Sequence, residues 1–354
     1  MRWVIAGGGT GGHLFPALAL ARRVLESGGA VLMVGCGRRV EELALEGAPF
    51  PVATVRGEGV LGRHPLARVR ALLALLRGMF QALSLIRRFA ADIVFGTGGY
   101  SSVPVLFAGS LLRRRLGLHE QNAVPGLANR LCARLVHRVF VSFPGTERYF
   151  PRRRVLLSGN PVREEILAPR PREHSGRGLL VLGGSQGARS LNRLLVDTAG
   201  ELLSRFPDLY LLHQTGERDE GWVREAYRRK GLSVEVRAFI RDMAWAYAQA
   251  DLVVSRAGAT TVAELCALGK PALYIPFPHA THAHQEKNAR AVVEAGGGIV
   301  LREGEFSPAE FVARVTELLG DEERLRHMGE RARRLFRPQA AETILREMEA
   351  LAHA

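Results

Sequence analysis

The chain has 354 residues, 47% of them apolar and 24% charged, the balance of an ordinary globular protein with length for two domains. A net charge of +14 either calls for an anionic partner (nucleic acid, a phosphorylated ligand or an anionic membrane) or reflects compositional bias, since only three of the 49 basic residues are lysine. Cys36, Cys132 and Cys266 form no C-x-x-C pair, which argues against disulfides and zinc and for a reducing compartment. The chain shows no signal peptide, and arginines interrupt every apolar run before it reaches transmembrane length.

Residues 3–6 read as a short buried strand, and Gly7-Gly8-Gly9-Thr10-Gly11-Gly12-His13 follows as a glycine loop. Residues 14–25 read as a helix with Pro16 in its first turn, where a missing N–H costs little. Glycines bring the backbone close to a ligand, and a helix N-terminus favours negative charge, so the unit predicts an anion site. The match to G-x-G-x-x-G is weak alone, and the plainer reading is a tight turn without a ligand; five glycines in six positions favour phosphate. At the positive end of the helix dipole His13 is expected neutral and competent as a base, or else is a helix-start residue satisfied by the backbone.

The second strand, 31–35, is followed by Cys36-Gly37-Arg38-Arg39. No acidic residue stands where a dinucleotide ribose would need one, so NAD is disfavoured, while Arg38 leaves an NADP oxidoreductase as an alternative. Residues 66–88 read as helix with apolar residues on more than one face and arginines between them: either a helix packed on two sides or a basic amphipathic contact with an anionic membrane. A strand at 92–95 feeds a second glycine loop, Gly96-Thr97-Gly98-Gly99-Tyr100-Ser101, and His119-Glu120-Gln121-Asn122 ends another. In a parallel sheet His13, Tyr100, Glu120 and Asn122 fall on one edge; the alternative for Glu120 is a capping or ion-paired carboxylate. Strands at 139–142 and 155–158 complete the first half, and a Pro/Arg/Gly-rich stretch at 168–178 reads as a linker.

The second half starts with a strand at 179–182 and a third glycine loop, Gly183-Gly184-Ser185-Gln186-Gly187-Ala188-Arg189. Strands follow at 210–213, 234–236 and 251–254, then Ser255-Arg256-Ala257-Gly258 opens a helix whose amides suit phosphate and whose Glu264 suits ribose hydroxyls. A strand at 272–276 precedes His279, His282 and His284, which lack a carboxylate or cysteine to complete a metal set, so no metal site is expected. The basic tail reads as helical, with a kink at Arg337-Pro338 after which the last helix crosses to the first domain. The default ligand site of two such halves is the cleft between them. RNA binding would use the charge, but no aromatic stacking motif accompanies it.

The segments Gly8-Gly9-Thr10-Gly11-Gly12-His13-Leu14-Phe15-Pro16, Gly98-Gly99-Tyr100, His119-Glu120-Gln121-Asn122, Gly159-Asn160-Pro161-Val162-Arg163, Gly183-Gly184-Ser185-Gln186-Gly187-Ala188-Arg189 and Ser255-Arg256-Ala257-Gly258-Ala259-Thr260-Thr261-Val262-Ala263-Glu264, in this order, resemble the MurG family over residues 1 to about 340. The resemblance implies an α/β GT-B glycosyltransferase: two Rossmann-like domains facing across a cleft, 1–160 with the helix 338–354 packed back on it, and 164–337. It implies N-acetylglucosamine transfer with inversion, without metal or cofactor, from UDP-N-acetylglucosamine (UDP-GlcNAc) to the undecaprenyl-linked acceptor of peptidoglycan synthesis. The expected place is the cytoplasmic face of the bacterial membrane, on its anionic surface, and no nucleic acid is involved. Matched motif to motif, it puts the base at His13; Glu120, from its place on the same sheet edge, is a second catalytic candidate. The donor falls to Thr10, Gly11, Gly12, Asn122, Arg163, Ser185, Ile240, Ala259, Thr260, Thr261, Val262, Ala263, Glu264 and Gln285. His284-Gln285-Glu286 departs from the paired glutamines some relatives carry, with Gln285 in register. Residues 66–88 match the family's membrane-facing region in character only.

Overall fold

A computed structural model describes residues 1–56, 65–99, 101–184, 187–278, 280 and 283–353, without the side chains of 65–72. The chain divides into two units, Met1–Arg163 with Arg337–Ala354, and Glu164–Phe336.

The first unit runs β1 (Arg2–Ala6), α1 (Gly11–Glu26), β2 (Ala30–Gly35), α2 (Arg39–Leu45), β3 (Val52–Thr54), α3 (Pro65–Arg88), β4 (Ile93–Gly96), α4 (Ser102–Leu111), β5 (Arg115–Glu120), α5 (Leu127–Cys132), β6 (Arg138–Val141) and β7 (Val155–Leu157). The second runs α6 (Glu164–Leu167), β8 (Gly178–Leu182), α7 (Arg189–Arg205), β9 (Tyr210–Gln214), α8 (Glu220–Arg229), β10 (Glu235–Arg237), α9 (Met243–Ala248), β11 (Leu252–Ser255), α10 (Ala259–Leu268), β12 (Ala272–Tyr274), α11 (His284–Glu294), β13 (Gly298–Val300), α12 (Pro308–Leu319) and α13 (Glu322–Arg333). The last helix, α14 (Ala340–His353), belongs to the first unit.

Both sheets are parallel throughout. Their strand orders are β3-β2-β1-β4-β5-β6-β7 and β10-β9-β8-β11-β12-β13. Each sheet therefore steps outward from its first strand, returns, and continues on the other side, the doubly wound order of dinucleotide folds. Helices cover both faces of such a sheet, so central strands read as unbroken apolar runs: β1, β4 and β8 are buried along nearly their whole lengths. Ligands collect beyond the carboxyl ends of the strands where the order reverses, between β1 and β4 and between β8 and β11. Three of the glycine loops lie at these two points.

Two details depart from the pattern reading. Helix α1 begins at Gly11, not at residue 14, so Gly11, Gly12 and His13 are its first three residues and Pro16 falls in the second turn. The edge strand β3, only three residues long, has no periodic signal of its own and is held by pairing with β2.

Helix α14 buries Ile344, Leu345 and Met348 in the cluster that holds Trp3, Leu14, Phe95 and Phe140. Gly117 of β5 makes room for it: a Cβ there would stand 2.7 Å from the Met348 sulfur. Each buried side chain contributes about 1.5–3 kcal/mol. The half-exposed Arg23–Glu342 pair at 2.6 Å adds at most about 1 kcal/mol, so apolar burial holds the helix down.

Candidate active site

The loop after β1 delivers Thr10 to the N-cap of α1 in an extended conformation. Its side chain makes no cap hydrogen bond and the first turn carries no acidic residue, so the positive end of the helix is left to other anions. Part of the loop's amide set is already engaged: Gly7 N donates to the Val34 carbonyl at 3.1 Å, and Gly9 N to a side chain. Glu41 of α2 is buried and accepts from Gly9 N at 2.6 Å, Cys36 N at 2.8 Å and Gly37 N at 2.9 Å. Glu41 escaped the sequence reading because a carboxylate on a short polar helix carries no local signal. The glycines around it are the trace it leaves, for a Cβ at Gly8 would stand 2.5 Å from a Glu41 oxygen.

His13 is half-buried in the first turn of α1. Its Nδ1 lies 2.9 Å from the Thr97 carbonyl and 3.0 Å from Gln121 Oε1. The second glycine loop supplies the floor under the ring. Gly98 has φ +96°, and a Cβ there would stand 2.8 Å from His13 Nδ1; a Cβ at Gly99 would run into the Gly8 carbonyl. Burial pushes the imidazole below its ordinary pKa, partly opposed by the bonds to Gln121 and Thr97.

Glu120, at the end of β5, is buried, and its carboxylate accepts from Asn122 N (2.9 Å), Asn122 Nδ2 (3.1 Å) and Asn129 Nδ2 (2.8 Å). Burial raises its pKa while these donors pull the other way. The carboxylate thus ties the loop after β5 to the first turn of α5, and Asn122 is oriented by it. The Arg163 guanidinium stacks 4.1 Å from the centre of the Phe15 ring, on the helix that carries His13. Tyr100 lies outside the described residues.

In the second unit Ser185 and Gln186, at the tip of the third glycine loop, lie outside the described residues. The base of that loop is tied by Gln214, whose amide donates to Gly184 O at 3.1 Å and Ala238 O at 2.9 Å, two residues before the buried Ile240. Gly258 caps α10 in an extended conformation, again without a side-chain cap or an acidic first turn. Ala259, Thr260 and Thr261 therefore form an amide-rich helix start, and Val262, Ala263 and Glu264 the turn behind it. Glu264 is buried and accepts from the Tyr247 hydroxyl at 2.8 Å.

Gln285 Oε1 accepts from Phe277 N at 2.9 Å, fastening the loop after β12. Arg256 donates to the Ile275 and Pro276 carbonyls at 2.9 and 3.1 Å and to Ser190 Oγ at 2.9 Å, and pairs with Glu303 at 2.6 Å. Arg256, Tyr247 and Gln214 were assigned no role from sequence; each acts through a non-local partner that no spacing encodes. His279 and His282 lie outside the described residues, and His284 opens α11.

Residues 3–141 match the glycosyltransferase family 28 N-terminal domain and residues 178–344 the family's C-terminal domain. A UDP-N-acetylglucosamine–N-acetylmuramyl-(pentapeptide) pyrophosphoryl-undecaprenol N-acetylglucosamine transferase from Desulfotalea psychrophila is 44% identical over 97% of this chain and 95% of its own length. The same-named protein of Geobacter metallireducens is 42% identical over 98% of each chain. Among solved structures, Acinetobacter baumannii MurG superposes with a TM-score of 0.75 at 28% identity, covering 99% of this chain and all of that one. These relatives are transferases, and the oxidoreductase alternative finds no support among them.

Proposed function

The chain belongs to the MurG family of N-acetylglucosaminyltransferases, and on that premise we propose that it moves N-acetylglucosamine from UDP-GlcNAc to the C4 hydroxyl of undecaprenyl-pyrophosphoryl-N-acetylmuramoyl-pentapeptide in peptidoglycan synthesis. One observation carries the assignment of roles. His13 stands at a helix start on the switch-point edge of its sheet, with Nδ1 held by two partners.

In this reading the acceptor oxygen attacks C1 of the sugar with inversion as its proton passes to His13. The C1–oxygen bond to the diphosphate breaks, and UDP leaves with the electron pair. The first two glycine loops take the acceptor's diphosphate. The amides opening α10 and the Arg163 guanidinium meet the charge that grows on UDP, a task that preorganised donors perform without a cofactor. Ile240 presents backbone to uracil, Glu264 holds the ribose, and Thr10, Gly11, Gly12, Asn122, Ser185 and Gln285 complete the donor contacts. Glu120 serves by shaping the loop that carries Asn122.

No helix among the described residues is long and apolar enough to cross a membrane. Exposed apolar side chains on α3 and α4 support peripheral contact with one. Leu73, Leu76 and Phe80 of α3 are exposed along one stripe, Phe80 at 66%, and Phe107 and Leu111 are exposed on α4, which packs against α3. Arg77, Arg87 and Arg88 are exposed on the same helix. Apolar tips flanked by arginines suit the anionic inner face of the bacterial membrane, where the lipid-linked acceptor resides.

The test is transfer by the purified protein from radiolabelled UDP-GlcNAc to the lipid-linked acceptor. The expected products are a β-linked lipid disaccharide and one UDP per transfer. Failure to bind UDP-GlcNAc, or release of free sugar with the acceptor unchanged, would overturn the proposal.

A further inference from the structure

We infer that His119 and Gln121 are positioning residues that set the proton on His13, holding its ring as the Nδ1–H tautomer with the Nε2 lone pair left for the attacking hydroxyl. The inference rests on the reading of His13 as the base.

The argument starts from an atom whose role cannot vary. The Gly159 carbonyl oxygen only accepts, and it lies 3.0 Å from His119 Nε2, so Nε2 carries hydrogen. Ser142 Oγ is 3.3 Å from the same nitrogen and 3.2 Å from the Glu120 carbonyl, so the hydroxyl donates to the carbonyl and turns a lone pair to the ring. His119 is fully buried, and burial lowers its pKa to about 4, so the ring is neutral and its Nδ1 bare.

That bare nitrogen lies 2.9 Å from Gln121 Nε2, which must donate to it. The second hydrogen of the amide goes to the Thr97 carbonyl at 2.8 Å. Flipping the amide would set two acceptors against each other at Thr97 and two lone pairs against each other at His119. Gln121 Oε1 is therefore turned to His13 Nδ1 at 3.0 Å, with the Thr97 carbonyl at 2.9 Å on the same nitrogen. Both neighbours accept, so Nδ1 carries the hydrogen. A neutral His13 then has its lone pair on Nε2.

The same geometry serves the charged state. When Nε2 takes the hydroxyl proton, Nδ1–H goes on donating to the same two oxygens without any rearrangement. A hydrogen bond from a charged donor is about twice as strong as from a neutral one, so the pair holds the imidazolium more tightly than the ground state. Proton and electron balance close within the transfer step: the hydroxyl oxygen bonds to C1, its proton moves to Nε2, and the diphosphate leaves with the electrons of the broken bond.

The test is nitrogen-15 NMR of the full chain labelled at histidine, near pH 7, with His13→Ala and His119→Ala to assign the two rings. The expected result is a protonated Nδ1 and bare Nε2 in His13 and the reverse in His119. A protonated Nε2 in neutral His13, or a ring averaging both tautomers, would overturn the inference. In Gln121→Leu the His13 tautomers should mix and kcat fall about tenfold, with donor KM within about twofold, since one hydrogen bond is lost from the base and none from the nucleotide. A folded Gln121→Leu with unchanged kcat and tautomer would count against it; should that variant not fold, the spectrum of the unsubstituted protein decides. Full kcat in His13→Ala with the expected tautomers would overturn the base reading beneath the inference, whereas lost kcat with reversed tautomers would overturn the inference alone.

Discussion

Glu41 accepts the Gly9 N–H at 2.6 Å across 32 residues of chain, so the first glycine loop is held from the next βα connection rather than by its own residues. The same carboxylate takes the amides of Cys36 and Gly37. Truncation leaves three partly buried amides short of their acceptor, at about 1–3 kcal/mol for each that water cannot reach. Glu41→Ala should lose at least about 2 kcal/mol of stability in urea and most of its kcat, and Glu41→Gln should lie between. Wild-type stability and turnover in Glu41→Ala would remove the strut from the account.

The His13 pKa, pushed below 6.5 by burial, sets the acid limb of the reaction. The base works only when neutral, so activity should hold as pH falls through 6.5 and decline below it. Gln121→Glu places a carboxylate on Nδ1, favours the imidazolium and should move the limb upward. His119 is neutral throughout this window. The kcat–pH profiles of the two proteins give the comparison, and identical limbs would show that the titrating group is not His13.

Buried neutral histidines also link stability to pH. His119 in the first unit and His213 in the second both have pKa values lowered to about 4 by burial. Between pH 6.5 and 4 the unfolded chain binds a proton at each that the folded chain does not. Stability should therefore fall as pH drops below 6.5, by about 1.4 kcal/mol per pH unit for each histidine, and level off for these groups below 4. Urea midpoints measured from pH 7 to pH 5 should decrease before most carboxylates titrate; a flat profile would contradict the burial.

Glu264 is aligned by Tyr247 at 2.8 Å. Glu264→Ala should raise donor KM tenfold or more, the worth of a hydrogen bond to a charged group, with a smaller change in kcat. Tyr247→Phe should raise KM less, because the carboxylate remains but loses its alignment. Unchanged donor affinity in Glu264→Ala would exclude it from the ribose.

For the exposed stripe, replacing Leu76, Phe80 and Leu111 together by serine should weaken binding to anionic vesicles with a smaller effect on thermal stability than a core substitution, because Phe80 and Leu111 are about two-thirds exposed and Leu76 a little under half. Replacing Arg77 should reduce the salt dependence instead. Vesicle binding indifferent to all four changes would place the contact elsewhere.

Strand, glycine loop and helix recur with such regularity that the all-parallel α/β architecture is legible in the chain itself: each crossover is long enough for a helix, and a helix between parallel strands puts every following loop on one edge. The motifs at residues 7–13 and 255–264 are contiguous, so their chemistry could be read one letter at a time. Other relationships needed the folded chain. Thr97 reaches His13 because β4 pairs with β1 across some ninety residues, and Gln121 reaches it from 108 residues away because β5 is next in the sheet. Glu41 finds Gly9, α14 finds Gly117, and Phe80 stays exposed while Ile86 of the same helix is buried. Local pattern records which faces of an element are apolar, whereas strand order and register decide what those faces meet. That is why the nucleotide-type fold and the transferase family stand in the sequence, while the tautomer of the proposed base is decided only in three dimensions.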